Sequence, residues 1–88
     1  MKDNVQASRY ETQEDGHTVF CTYRKEGDKV YLLHVEAPVA LRGKGAAGRF
    51  MQALMEQLRA AKLKAVPVCS YAVAWLERHP EFGDMRAT

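Results

Sequence analysis

Between residues 33 and 50 the chain reads LHVEAPVALRGKGAAGRF, and the hydrophobic period changes inside that stretch. Up to Glu36 apolar residues alternate. From Gly45 onward Ala47, Phe50, Met51, Leu54, Leu58 and Ala61 recur every three or four residues, while Gln52, Glu56, Gln57 and Arg59 fall between them. Alternation suits a strand, whose side chains project to opposite faces, and the longer spacing suits a helix with one apolar side. A strand must therefore turn into a helix packed on a sheet, across Arg42, Gly43, Lys44, Gly45 and Gly48.

The remaining elements fall around that junction. Residues 17–25, HTVFCTYRK, and 29–36, KVYLLHVE, alternate and are rich in β-branched and aromatic residues, so with EGD between them they predict a hairpin. A shorter strand is expected over residues 5–10, set off by the polar stretch ETQEDG. AVPVC, residues 65–69, predicts a short buried strand. Its Pro67 has no amide hydrogen, which places the strand at an edge or leaves it unpaired there. SYAVAWLERH then resumes helical spacing, with Ser70 positioned to cap the helix and Pro80 to stop it. His79 is expected to close that helix with Phe82 beneath it. The order of strands, helix, strand and helix predicts an α/β (α+β) fold in which the long helix crosses between two parallel neighbours.

Eighty-eight residues accommodate one compact domain, read here as residues 1–88 with a single core. A formal charge of +2 is too small for phosphate-backbone binding to lead, so the cations have to be read locally. Cys21 and Cys69 lie inside apolar runs without the close spacing of a zinc site or a redox pair, and no metal is expected. The first residues lack a signal-peptide core and no run of eighteen apolar residues occurs, which predicts a cytoplasmic protein with reduced thiols and no membrane association.

At the strand-to-helix junction the first amides of the helix have no intrahelical acceptor, and the helix dipole adds positive potential. Gly43 and Gly45 would let the backbone approach a phosphate closely, and Arg42 and Lys44 would add charge. The plainer alternative is a glycine-containing turn with solvated cations. A nucleotide P-loop is excluded, because Lys44 is followed by Gly45 rather than Ser or Thr and the leading glycine is missing. The spacing of Gly43, Gly45 and Gly48 matches the dinucleotide fingerprint, but no acidic residue ends a following strand.

Arg42-Gly43-Lys44-Gly45-Ala46-Ala47 resembles the R-x-x-G-x-G/A motif of the GCN5-related N-acetyltransferases, whose backbone amides hold the pyrophosphate of acetyl-coenzyme A. The wider pattern H-x-x-x-P, R-G-x-G, helix, P-x-C-x-Y and R-H-P-E-[YF] is similar to the small single-domain YjdJ-like subgroup, across roughly residues 17 to 83. The resemblance implies a compact acyl-CoA N-acyltransferase fold with a mixed, mostly antiparallel sheet and a parallel strand pair that splays to admit the pantetheine arm. It also implies that Val35, Arg42, Gly43, Lys44, Gly45, Ala46, Ala47, Cys69 and Tyr71 bind acetyl-coenzyme A, the co-substrate, and that an amine is the acceptor.

Acetyl transfer needs a neutral amine, a site for the developing oxyanion and stabilisation of the departing thiolate. By the period of two, His34 and Glu36 would share a face with Val30 and Leu32. They are candidates for the acceptor side, against the plainer readings of a structural histidine and a solvated strand end. Cys69 is either a small buried hydrophobe or, before a helix N-terminus that favours a thiolate, an acetyl carrier or proton donor. Tyr71 is the alternative acid. Cys21, alternating with Val19 and Tyr23, is expected in the core. The larger relatives place two helices between their first strands as part of the acceptor site; here only ETQEDGHT and EGD are available, so the groove must be shallow or supplied by a partner. That keeps a non-catalytic coenzyme A-binding module in view. An RNA-binding module using Arg42, Lys44 and Arg49 ranks lower, because Tyr23 and Tyr31, the nearby aromatics, alternate as core residues.

Overall fold

The computed structural model describes residues 1–87. Five strands form one sheet in sequence order: β1 (Lys2–Asn4), β2 (Arg9–Glu14), β3 (His17–Glu26), β4 (Lys29–Glu36) and β5 (Lys64–Pro67). The first four pair antiparallel, and β5 runs parallel to β4 at the sheet's edge. Between those two strands the chain crosses through α1 (Ala46–Ala60), and α2 (Ser70–Arg78) follows β5. Both helices pack on one face. Phe50, Met51, Leu54, Met55 and Leu58 of α1, with Ala72, Trp75 and Leu76 of α2, meet Tyr10, Val19, Cys21, Val30, Leu32 and Ala65 of the sheet. The apolar stripe read from the α1 sequence is buried at Phe50, Met51, Leu54 and Leu58, whereas Ala47 is only half-buried, Ala61 is exposed, and Ala46 and Met55 join the core.

The opposite face of the sheet carries no helix among the described residues. Polar and aromatic side chains cover it themselves: Arg9 pairs with Glu11 and lies over Phe20 at 4.4 Å, and Arg24 lies over Tyr31 at 4.7 Å. Tyr31 is therefore on the open face rather than in the core.

Three sequence-based expectations need correction. Residues 5–8 form a turn, with Val5 exposed and Ser8 at φ 53°, and the strand begins at Arg9. The polar ETQE segment is strand because Tyr10 faces the core while Glu11, on the other face, is neutralised by Arg9 and hydrogen-bonded by Asn4 at 3.0 Å. The second helix is capped at Cys69, with Ser70 its first residue. Third, His34 and Glu36 do not share a face with Val30 and Leu32. In the β3–β4 ladder Tyr23 opposes Leu32 and Thr22 opposes His34, so Leu33 is an extra residue, a β-bulge. One inserted residue inverts the alternation. Val35 returns to the core side opposite Cys21, and His34 and Glu36 turn outward to the open face.

Leu54 is fully buried and Val68 is 55% exposed. Leu54→Ala should therefore cost about 2–5 kcal/mol of stability, and Val68→Ala within about 0.5 kcal/mol. Urea unfolding checks both; equal losses would contradict the single-faced core.

Candidate functional site

The chain leaves β4 through Ala37 and Pro38 and makes a short 3-10 turn at Val39–Leu41, whose only buried side chain is Leu41. Leu41 anchors an otherwise exposed loop. Gly43 and Gly45 then take φ of 79° and 77°, the left-handed region that a side chain strains to enter, so both glycines are required by the turn itself. Gly45 is the N-cap of α1, and the amides of Ala46, Ala47 and Gly48 open the helix with no intrahelical acceptor. The Lys44 amide is already spent on the Leu41 carbonyl at 3.2 Å.

This turn borders a cleft of about 250 Å³ lined by Ala37, Leu41, Arg42, Gly43, Gly45, Ala46, Ala47, Gly48 and Tyr71. Of the residues singled out from the sequence, Arg42, Gly43, Gly45, Ala46, Ala47 and Tyr71 are brought together here. Lys44 is exposed beside the cleft without lining it. Ala37 and Leu41 were not singled out, although Leu41 is the one apolar side chain between Ala40 and the glycines, a signal that something buries it. Concave backbone, unpartnered helix amides and Arg42 suit a diphosphate, and the space above Gly43, where an added Cβ would meet nothing within 4 Å, leaves room for close approach.

Beside the cleft the parallel strand pair comes apart. Pairing between β4 and β5 ends at Leu32 and Pro67, and the Leu32 carbonyl accepts both the Val68 amide at 3.0 Å and the Cys69 amide at 3.1 Å. From Leu33 to Glu36, β4 continues with no β5 partner. Cys69 lies at the end of this gap. Its partial burial alone would raise the thiol's pKa, but the N–H groups of Ala72, Val35 and Tyr71 outweigh that and hold it below the ordinary value. None of these reaches the geometry of a full side-chain cap, so they act as a set of dipoles converging on sulfur. Val35, on the far side of the gap, thereby meets Cys69. Tyr71 is the opposite case: burial raises its hydroxyl, with Arg78 pulling the other way. Cys21, fully buried, is pushed up to about 12 by burial, which the His34 amide opposes and the nearby Cys69 reinforces.

His34 and Glu36 are paired with each other, Nε2 to Oε1 at 3.3 Å, and both are more than half exposed. The bulge puts them on the opposite side of the sheet from the helices, one residue either side of Val35. The structure thus groups the sequence candidates into a cleft set and an open-face pair, with Cys69 and Val35 at the gap between. His79 ends α2, stacked on Trp75 at 3.7 Å with Nδ1 at 2.7 Å from the Trp75 carbonyl, and Phe82 packs against Trp75 as well.

Residues 9–85 match the model of a protein family described as GCN5-related N-acetyl-transferase. No curated protein matches the sequence. Among solved structures, the solution NMR structure of a GCN5-like candidate N-acetyltransferase from Staphylococcus aureus aligns with a TM-score of 0.62 at 19% identity, covering 91% of this chain and 89% of that one. At that identity the likeness is one of fold.

The two thiols should differ sharply in reactivity. Iodoacetamide at pH 8 is expected to modify Cys69 and to leave Cys21 untouched until the protein unfolds, read by intact mass and peptide mapping. Modification of both at similar rates in the folded protein would contradict the burial and dipole arrangement.

Proposed function

Because the chain belongs to the GCN5-related N-acetyltransferase family, matching its model over residues 9–85, we propose that it binds acetyl-coenzyme A in the Gly43–Tyr71 cleft and transfers the acetyl group to an amine by way of Cys69. The observation that carries this reading is that the left-handed glycine turn and the open amides of α1 line one cleft, whose Tyr71 follows Cys69 by two residues where β4 and β5 part.

Arg42 and the amides of Gly45, Ala46 and Ala47 would hold the diphosphate, and the unpaired edge of β4 from Leu33 to Val35 would hydrogen-bond the pantetheine amides. A depressed pKa raises the thiolate fraction of Cys69, which favours it as acetyl carrier. Its thiolate attacks the acetyl carbonyl, a carbon–sulfur bond to Cys69 forms, and the bond to the coenzyme's sulfur breaks. Tyr71, which lines the cleft and whose raised hydroxyl is protonated at neutral pH, would give the departing thiolate its proton. An amine then attacks the Cys69 thioester, the carbon–nitrogen bond forming as the bond to the Cys69 sulfur breaks and returns its thiolate. His34, oriented by Glu36, would take the amine's proton on the open-face side. The thioester exchange is close to thermoneutral, since one thiol replaces another.

Ala47 stands at an ordinary helical position in the cleft wall, so Ala47→Glu sets a carboxylate among the phosphate-binding amides without backbone strain. Calorimetric affinity for coenzyme A should fall at least tenfold. Unchanged affinity in the folded variant would reject the site.

Mixing the protein with acetyl-coenzyme A and denaturing it should leave a single acetyl adduct by intact mass. Cys69→Ala should lose the adduct and the transfer. His34→Ala should keep the adduct and coenzyme affinity while lowering turnover with an amine. Transfer by Cys69→Ala at the unmodified rate would eliminate the thioester route and leave direct attack with Tyr71 as acid.

A further inference from the structure

Arg49 follows Gly45 by one helical turn, so its side chain leans back over the start of α1. Two of its three guanidinium nitrogens are committed: Nε donates to Glu14 Oε1 at 2.9 Å and Nη2 to Oε2 at 2.6 Å. The third, Nη1, is turned toward the glycine turn, where a Cβ added to Gly45 would come within 3.1 Å of it. A planar guanidinium pinned along one edge presents its other edge in a fixed direction. Glu14 ends β2 just before the Asp15–Gly16 turn, so the pin comes from the opposite flank of α1 to Tyr71, which lies on the helix beside β4 and β5.

Arg49 is more than half exposed while Glu14 is partly buried, and the two-point grip between them fixes the plane of the guanidinium. A ligand whose thioester end reaches Cys69 and whose diphosphate rests on residues 43–47 must continue past the turn on its far flank. In coenzyme A that continuation is adenosine carrying a 3′-phosphate, a doubly charged phosphomonoester. Nη1 offers two N–H donors and shared positive charge to it. The carboxylates of Glu14 and Asp15 also lie near Arg49 and oppose a second anion, so the site should give discrimination rather than high affinity.

Resting on the coenzyme A reading above, we propose that Arg49, positioned by Glu14, binds the 3′-phosphate of coenzyme A and lets the protein discriminate it from its dephosphorylated form. Titration calorimetry with coenzyme A and with dephospho-coenzyme A on the intact protein tests this. The unmodified protein should bind coenzyme A about tenfold tighter, the effect of one charge-assisted contact. Arg49→Gln should bind coenzyme A about tenfold more weakly and dephospho-coenzyme A unchanged within about twofold, bringing the ratio near one. Glu14→Ala should narrow the ratio and Glu14→Gln, which still accepts from Arg49, should restore it, a pattern that lost stability would not produce. Equal affinity of the unmodified protein for both ligands, or equal weakening of both in Arg49→Gln, overturns the assignment. Binding of neither by the unmodified protein would overturn the coenzyme A reading first, and this inference with it.

Discussion

The Leu32 carbonyl is where the sheet stops being a sheet. It takes two amides from the incoming chain, Val68 and Cys69, and beyond that shared carbonyl the chain turns into α2 and the ladder ends. One residue later Leu33 is bulged out of register with β3. These two irregularities act at the same level of β4 from its two sides. The first opens a gap on the β5 side; the second rotates the remainder of the strand, so that Val35 faces the core and its neighbours His34 and Glu36 face away. Without the bulge the alternation would have turned His34 and Glu36 toward the helix-bearing face, at the cost that burying charge carries.

Legibility in the sequence followed the range of the interaction that decides each feature. The α1 stripe depends on residues three and four apart, and it was readable down to Phe50 and Leu54. The left-handed glycines depend on local backbone sterics, and Gly43 and Gly45 were readable as the turn they make. The bulge depends on which residue of β3 sits opposite Leu33, a pairing that no local pattern encodes, and so the faces of His34 and Glu36 came out inverted. The ETQE strand failed for a related reason. Its polar residues are stable in a sheet because side chains from outside the segment bond them, Arg9 and Asn4 at Glu11, Thr18 at Gln13 and Arg49 at Glu14. Capping at Cys69 instead of Ser70 is a one-residue matter, but it changes the chemistry by placing sulfur where the helix amides converge.

That convergence separates two cysteines that composition alone cannot tell apart. Cys21 sits beneath the helices, where burial outweighs the one amide near it, and stays a thiol. Cys69, only partly buried and facing three amides, is shifted the other way. Both belong to the same stretch of sheet, since Cys21 opposes Val35 and Val35 donates toward Cys69. The difference is therefore one of solvation and amide direction over a single strand's width.

A chain this short concentrates its whole apolar core on one face of the sheet, because two helices suffice to cover only one. The turn between β2 and β3 is Asp15–Gly16, leaving no length there for a covering helix. The open face must then be stable in water, which explains why its aromatics lie under arginines and its glutamates are paired. It also divides the proposed chemistry. The donor would enter along the helix-bearing edge between Tyr71 and the glycine turn, whereas an acceptor would come to His34 and Glu36 from the bare side, with Cys69 at the gap joining them. The two substrates need not compete for one cavity, so a thioester on Cys69 could form before an acceptor arrives.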